Sequence, residues 1–156
     1  MSAGSTMRVL IVEDEVVVAA EIEVLVAEAG MAAVGVAIDC DEALEMLERE
    51  RPDLVLLDVH LSDGPTGVEI ARRAAATHGT AVLFMTANRR RLPEDFAGGV
   101  GTVAKPYTEW GMRAALRFVS DCLKAGEATR PAPSSLELAP AFIRRWRVPE
   151  VGHMTH

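Results

Sequence analysis

Five side chains suited to handling phosphate recur where short apolar runs end. Glu13 and Asp14 follow the run from Arg8 to Val12, Asp58 follows Leu54 to Leu57, Thr86 follows Ala81 to Met85, and Lys105 follows Gly101 to Ala104. Three carboxylates brought together raise one another's pKa, so such a cluster is costly unless a cation joins it. A hard divalent ion meets that need: Mg2+ typically keeps several waters and takes one or two carboxylates together with phosphate oxygens. Lys105 and Thr86 then suit the oxygens of a phosphoryl group, one as a point charge and the other as a hydrogen-bond donor. The chemistry that employs all five is transfer of a phosphoryl group to a carboxylate.

Those five residues converge only if the runs are strands of one sheet. Arg8 to Val12, Val34 to Ile38, Leu54 to Leu57, Ala81 to Met85 and Gly101 to Ala104 are short and rich in Val, Leu and Ile, as strands buried on both faces are. Between them lie amphipathic stretches. Val18, Ile22, Leu25 and Ala29 share a helix face that Gly30 ends. Asp39 followed by Glu42 forms a capping pattern for a helix stopped by Pro52, and Thr66 followed by Glu69 repeats it ahead of residues 68–76. A last helix begins near Thr108, with Gly111 weakening its first turns by ~1 kcal/mol relative to Ala. Parallel strands need crossover connections, so five strands each followed by a helix imply an α/β fold, a five-stranded parallel sheet with helices on both faces. Ligands bind outside the carboxyl ends of such strands, where the five residues fall.

Glu13-Asp14, Leu54-Val-Leu-Leu-Asp58, Met85-Thr86-Ala87 and Lys105-Pro106-Tyr107, in this order and spacing, resemble the receiver domain of two-component response regulators over about residues 7–125. The resemblance implies a flavodoxin-like doubly wound fold, Mg2+ dependence and Asp58 as phosphoacceptor. The donor would be a phosphohistidine on a sensor histidine kinase or histidine phosphotransfer protein. Asp14 and Asp58 would bind Mg2+ with the backbone carbonyl of His60, Glu13 would act through water, Lys105 would pair with the acyl phosphate, and Thr86 would move toward it. Two departures bear on switching. Thr102 stands three before the lysine, where the family usually has an aromatic ring. The stretch Asn88 to Gly101 holds Arg89-Arg90-Arg91, Pro93 and Gly98-Gly99, so the fourth helix is expected to be short or irregular. The loop after Asp58 also has Ser62 where proline is common, and runs through Asp63-Gly64-Pro65 to Thr66.

The chain of 156 residues carries 23 acidic and 16 basic side chains, a formal charge of −7, with 49% hydrophobic residues. That composition fits a folded domain rather than a disordered one and an acidic protein rather than a DNA binder. Neither a membrane span nor a secretory signal is legible, which points to the cytoplasm. Cys40 and Cys122 lack nearby thiols or histidines and read as buried hydrophobes. Gly99-Val-Gly101-Thr-Val-Ala104 mimics a dinucleotide fingerprint, yet it leads into a strand instead of following one. Residues 1–6 are expected to be a flexible N-terminus and 126–156 a Pro-rich linker and short tail. The tail holds Pro131, Pro133, Pro140 and Pro149, with Phe142, Ile143 and Trp146 beside Arg144, Arg145 and Arg147 as a possible docking peptide. The expected output is contact with a downstream protein target, without DNA or membrane; homodimerisation stays open. Two other readings compete: an unphosphorylated pseudo-receiver, which would be expected to lose Asp58 or Lys105, and a haloacid-dehalogenase-type phosphatase, which wants an acid where His60 stands.

Overall fold

A computed structural model describes residues 6–61 and 66–150, so Ser62 to Pro65 and residues 1–5 and 151–156 fall outside the described residues. The apolar runs form β1 (Arg8–Val12), β2 (Ala32–Ala37), β3 (Leu54–Asp58), β4 (Ala81–Thr86) and β5 (Gly101–Ala104). They pair in parallel in the order β2-β1-β3-β4-β5. Every residue of β3, and all but the first of β1 and β4, is buried, which is why these strands show no alternation of polar and apolar residues. The chain turns outward from β1 to β2 and then back across β1 to β3, so the point where the order reverses lies between β1 and β3.

Helices α1 (Val16–Glu28) and α4 (Glu109–Ala125) cover one face, and α2 (Cys40–Glu50) and α3 (Gly67–Arg73) the other; α3 runs on through a wider turn to His78. The buried stripe of α1 is Ala19, Ile22, Leu25 and Val26, whereas Val18 and Ala29, expected inside, are half-buried. Val16, Val17 and Val24 are exposed on the same helix, so apolar periodicity alone does not fix its inner face. Helix α2 starts as its capping residues dictate: Asp39 Oδ1 accepts from the amide of Glu42 at 2.9 Å, and Glu42 Oε1 accepts from the amide of Ile38 at 3.2 Å. Arg51, left-handed at φ 44, ends the helix just before Pro52. Asp39→Ala should cost about 1 kcal/mol of stability, read as a lower urea midpoint with an unchanged slope.

The sheet has six strands, not the expected five. The segment read as linker and tail supplies β6 (Leu136–Leu138), antiparallel to β5, followed by α5 (Pro140–Arg145) and the buried Trp146. Leu136 and Leu138 alternate inward to join the α4 side of the core, and Glu137 points to the other face, as a period of two requires. Gly101 admits this approach: a Cβ there would collide with the carbonyl oxygen of Glu137. Gly111 has a similar role, because a Cβ would lie 3.1 Å from that of Ser135, whose hydroxyl donates to the Gly111 carbonyl at 2.8 Å.

Between β4 and β5 the chain makes two single 3-10 turns, Arg89–Arg91 and Phe96–Gly98, in place of a regular helix. Phe96 and Ala97 are both left-handed, at φ 54 and 51. Among the described residues no helix is long and apolar enough to cross a membrane.

Candidate functional site

The carboxyl ends of β1, β3, β4 and β5 bring together the residues singled out from sequence. Glu13 and Asp14 follow β1 directly, Asp58 and Thr86 are the last residues of β3 and β4, and Lys105 follows β5. Carboxylate oxygens of Glu13, Asp14 and Asp58 all lie within 4.8 Å of one another, at the reversal between β1 and β3. Lys105 Nζ donates to Asp58 Oδ2 at 3.1 Å and stands 3.6 Å from Glu13 Oε2. The amide of His60 donates to Asp58 Oδ1 at 3.0 Å, so both oxygens of this aspartate are held. The peptide bond from Lys105 to Pro106 is cis.

The electrostatics of the cluster are unbalanced. Glu13 is wholly buried, and neither of its oxygens has a hydrogen-bond donor. Burial first, and then the adjoining Asp58, push its carboxyl up to about 8. Burial alone would lower the pKa of Lys105, but Asp58 and Glu13 outweigh it and raise the ammonium above its ordinary value. One ammonium thus serves three clustered acids, two of them buried. A group with an orphaned buried carboxylate and two further acids within reach has the donor set of a hard-cation site, and Mg2+ fits it.

Thr86 is buried, and its hydroxyl is turned to the loop that follows. It donates to the carbonyl of Asn88 at 3.1 Å and accepts from the amide of Asn88 at 3.0 Å. Asn88 in turn caps the first 3-10 turn through its side chain, which accepts from the amide of Arg90 at 3.1 Å. Asn88 therefore joins the site residues without having been legible as one, since its part is played by its backbone. Thr102 is buried too; its hydroxyl donates to the Phe84 carbonyl at 3.3 Å, and its register partner on the far side is Glu137. Glu137 Oε2 meets Arg89 Nε at 3.2 Å, and the Arg89 guanidinium lies 4.1 Å above the Phe96 ring. Both cysteines are buried as expected, and burial raises the Cys122 thiol to about 11.

Residues 9–117 match the family model described as the response regulator receiver domain. The phyllosphere-induced regulator PhyR of Methylorubrum extorquens is 34% identical over 113 residues, covering 69% of this chain and 41% of that protein. The transcriptional regulatory protein PdtaR of Mycobacterium tuberculosis is 34% identical over 109 residues, covering 68% of this chain and 53% of its own length. This chain thus spans about half or less of the length of the relatives it matches. A solved structure of the PhyR stress response regulator superposes with a TM-score of 0.62 at 36% identity, over 72% of this chain and 44% of that one.

Proposed function

The chain belongs to the response regulator receiver domain family, and from that premise we propose that Asp58 accepts a phosphoryl group and that the phosphorylated form signals by contact with a protein partner. The observation that carries the proposal is Asp58 itself: a carboxylate at a strand end, 3.1 Å from Lys105 and grouped with Glu13 and Asp14. A carboxylate oxygen attacks the phosphorus of a phosphohistidine. The O–P bond forms as the N–P bond breaks, and the electron pair leaves with the imidazole nitrogen. Asp14 and Asp58, with the His60 carbonyl, would hold Mg2+, and Glu13 would act through water. When bound, the ion would neutralise charge on the transferred group. Lys105 supplies a fixed cation beside the same oxygens at no cost in reorganisation. A cavity of about 440 Å³ lined in part by Ala87, Lys105, Pro106 and Tyr107 adjoins the site, with Val16 and Val17 exposed nearby on the first turn of α1. A donor protein reaches Asp58 from that side.

Incubation with acetyl phosphate and Mg2+ should add the mass of one phosphoryl group to the intact protein, with acetate leaving in place of imidazole. A chain that stays unmodified under these conditions would be an interaction module without phosphotransfer. Thr86 is the residue placed to sense the change, since its hydroxyl can exchange Asn88 for the new phosphoryl oxygens. The segment from 88 to 101 moves with it: two isolated turns with consecutive left-handed residues reorganise more readily than a regular helix. Hydrogen exchange should therefore change most over residues 88–101 on phosphorylation. A constant segment combined with change around the half-buried Tyr107 would move the switch to that ring instead.

A further inference from the structure

Strand β6 fills the free margin of β5, and what holds it there is a set of features that any extended segment of suitable sequence could use. Antiparallel register pairs Gly101 with Leu138, Thr102 with Glu137 and Val103 with Leu136. Leu136 and Leu138 pack with Val100, Val103 and the inner face of α4, while Glu137 meets Arg89 on the opposite face. Gly101 leaves room for a neighbouring backbone that no other residue would allow. Main-chain pairing gives such a margin its affinity, and the alternate side-chain positions give it selectivity.

We propose that the β5 edge is a strand-acceptor surface, filled here by the chain's own Leu136–Leu138 with Trp146 buried beyond them, and that a partner docks by adding an apolar-acidic-apolar segment antiparallel to Gly101–Val103 in place of β6. The surface stands by itself; only its control rests on the reading of Asp58 given above. A tethered strand competes at an effective concentration on the order of millimolar, so a free segment gains the edge only when the tethered one is loosened. The loosening has a physical route. The Thr86 hydroxyl holds both backbone groups of Asn88, and the next residue, Arg89, holds Glu137. A cavity of about 340 Å³ bounded by Thr86, Arg89, Thr102, Ser135 and Glu137 separates the two ends of this relay and leaves space for movement. Drawing the hydroxyl toward a phosphoryl group on Asp58 frees Asn88, shifts the Arg89 turn and takes from β6 its charged partner.

The test uses the full chain and, as probe, a fluorescent synthetic peptide with the sequence of residues 133–148, read by anisotropy. Trp146→Ala weakens the tethered strap without touching the acceptor edge, so the peptide should bind this variant at least roughly 10-fold more tightly than the unmodified protein. If that variant does not fold, Glu137→Ala serves in its place, with an expected gain of roughly two- to five-fold from loss of an exposed ion pair. Gly101→Ala blocks the edge to strap and peptide alike: exchange over residues 136–146 should rise while peptide binding disappears. Equal binding to the loosened variant and the unmodified protein overturns the surface. For control, protein shown by intact mass to carry the phosphoryl group should gain affinity for the peptide. Full modification with unchanged affinity overturns the relay, whereas failure to take up phosphate counts against Asp58 and leaves the variant results to decide the surface.

Discussion

Asp58→Asn is expected to lower phosphoryl incorporation from acetyl phosphate by at least about 100-fold, to the limit of detection by intact mass. An amide oxygen is a poor nucleophile, and the substitution also removes a carboxylate from the acidic cluster. Stability should change little, because two effects of the substitution oppose each other. Lys105 loses the partner it holds at 3.1 Å, but the charge that, after burial, disfavours ionisation of Glu13 is removed as well. A urea midpoint close to that of the unmodified protein would show that the loss is one of chemistry rather than folding. Retention of full incorporation by the variant would place the phosphoacceptor elsewhere and remove the basis of the proposed function.

Asp14→Asn should weaken Mg2+ binding by at least about 10-fold in isothermal titration, since it takes away one of the two carboxylates proposed to bind the ion directly. The control is Asp41→Asn, an exposed acid in the first turn of α2 away from the cluster, which should leave the affinity as it was. Glu13 is proposed to act on the ion only through water, so it does not make up for a direct ligand lost at Asp14. Unchanged affinity in Asp14→Asn would sink the assignment of Asp14 while leaving Asp58 to be judged by mass.

Most of the sheet was legible because β1, β3 and β4 are buried on both faces, so that each appears as an unbroken apolar run with a candidate site residue at its end; β2, also expected to be buried on both faces, lies at the sheet margin and is largely exposed or half-buried. The polar ends of those runs located the site as well: Glu13, Asp14, Asp58, Thr86 and Lys105 all gather at one edge of the sheet. Of the two capping patterns, Asp39 accepts from the amide of Glu42, whereas Thr66 stands at the start of α3 without a side-chain cap bond; Thr108, where the last helix was expected to begin, accepts from the amide of Gly111. The sixth strand escaped for the opposite reason. Leu136-Glu-Leu138 is three residues long, stands among prolines and is made a strand only by pairing with Gly101 to Val103, some 35 residues earlier. Composition reads such a stretch as linker. The absent aromatic at 102 takes on a different meaning with β6 in place, since Thr102 is buried, bonded to Phe84 on one side and paired with Glu137 on the other. The irregular segment before β5 was foreshadowed by its prolines and glycines, but the bond from Thr86 to the backbone of Asn88 has no sequence signature.

β6 also decides what kind of margin the sheet shows to other molecules in a concentrated solution. An unpaired strand is a template for indiscriminate association, and β5, with Gly101, Thr102 and Val103 in a row, would be such a template if left bare. In its place the sheet ends on three residues with a charge at the centre, Glu137, and with Pro133 and Pro140 close on either side, neither able to donate to a growing ladder. The strand therefore acts as a gatekeeper against aggregation, and any condition that lifts it exchanges a blunted margin for an adhesive one. Solubility and the exposure of the β5 edge are in this way set against each other by the same three residues.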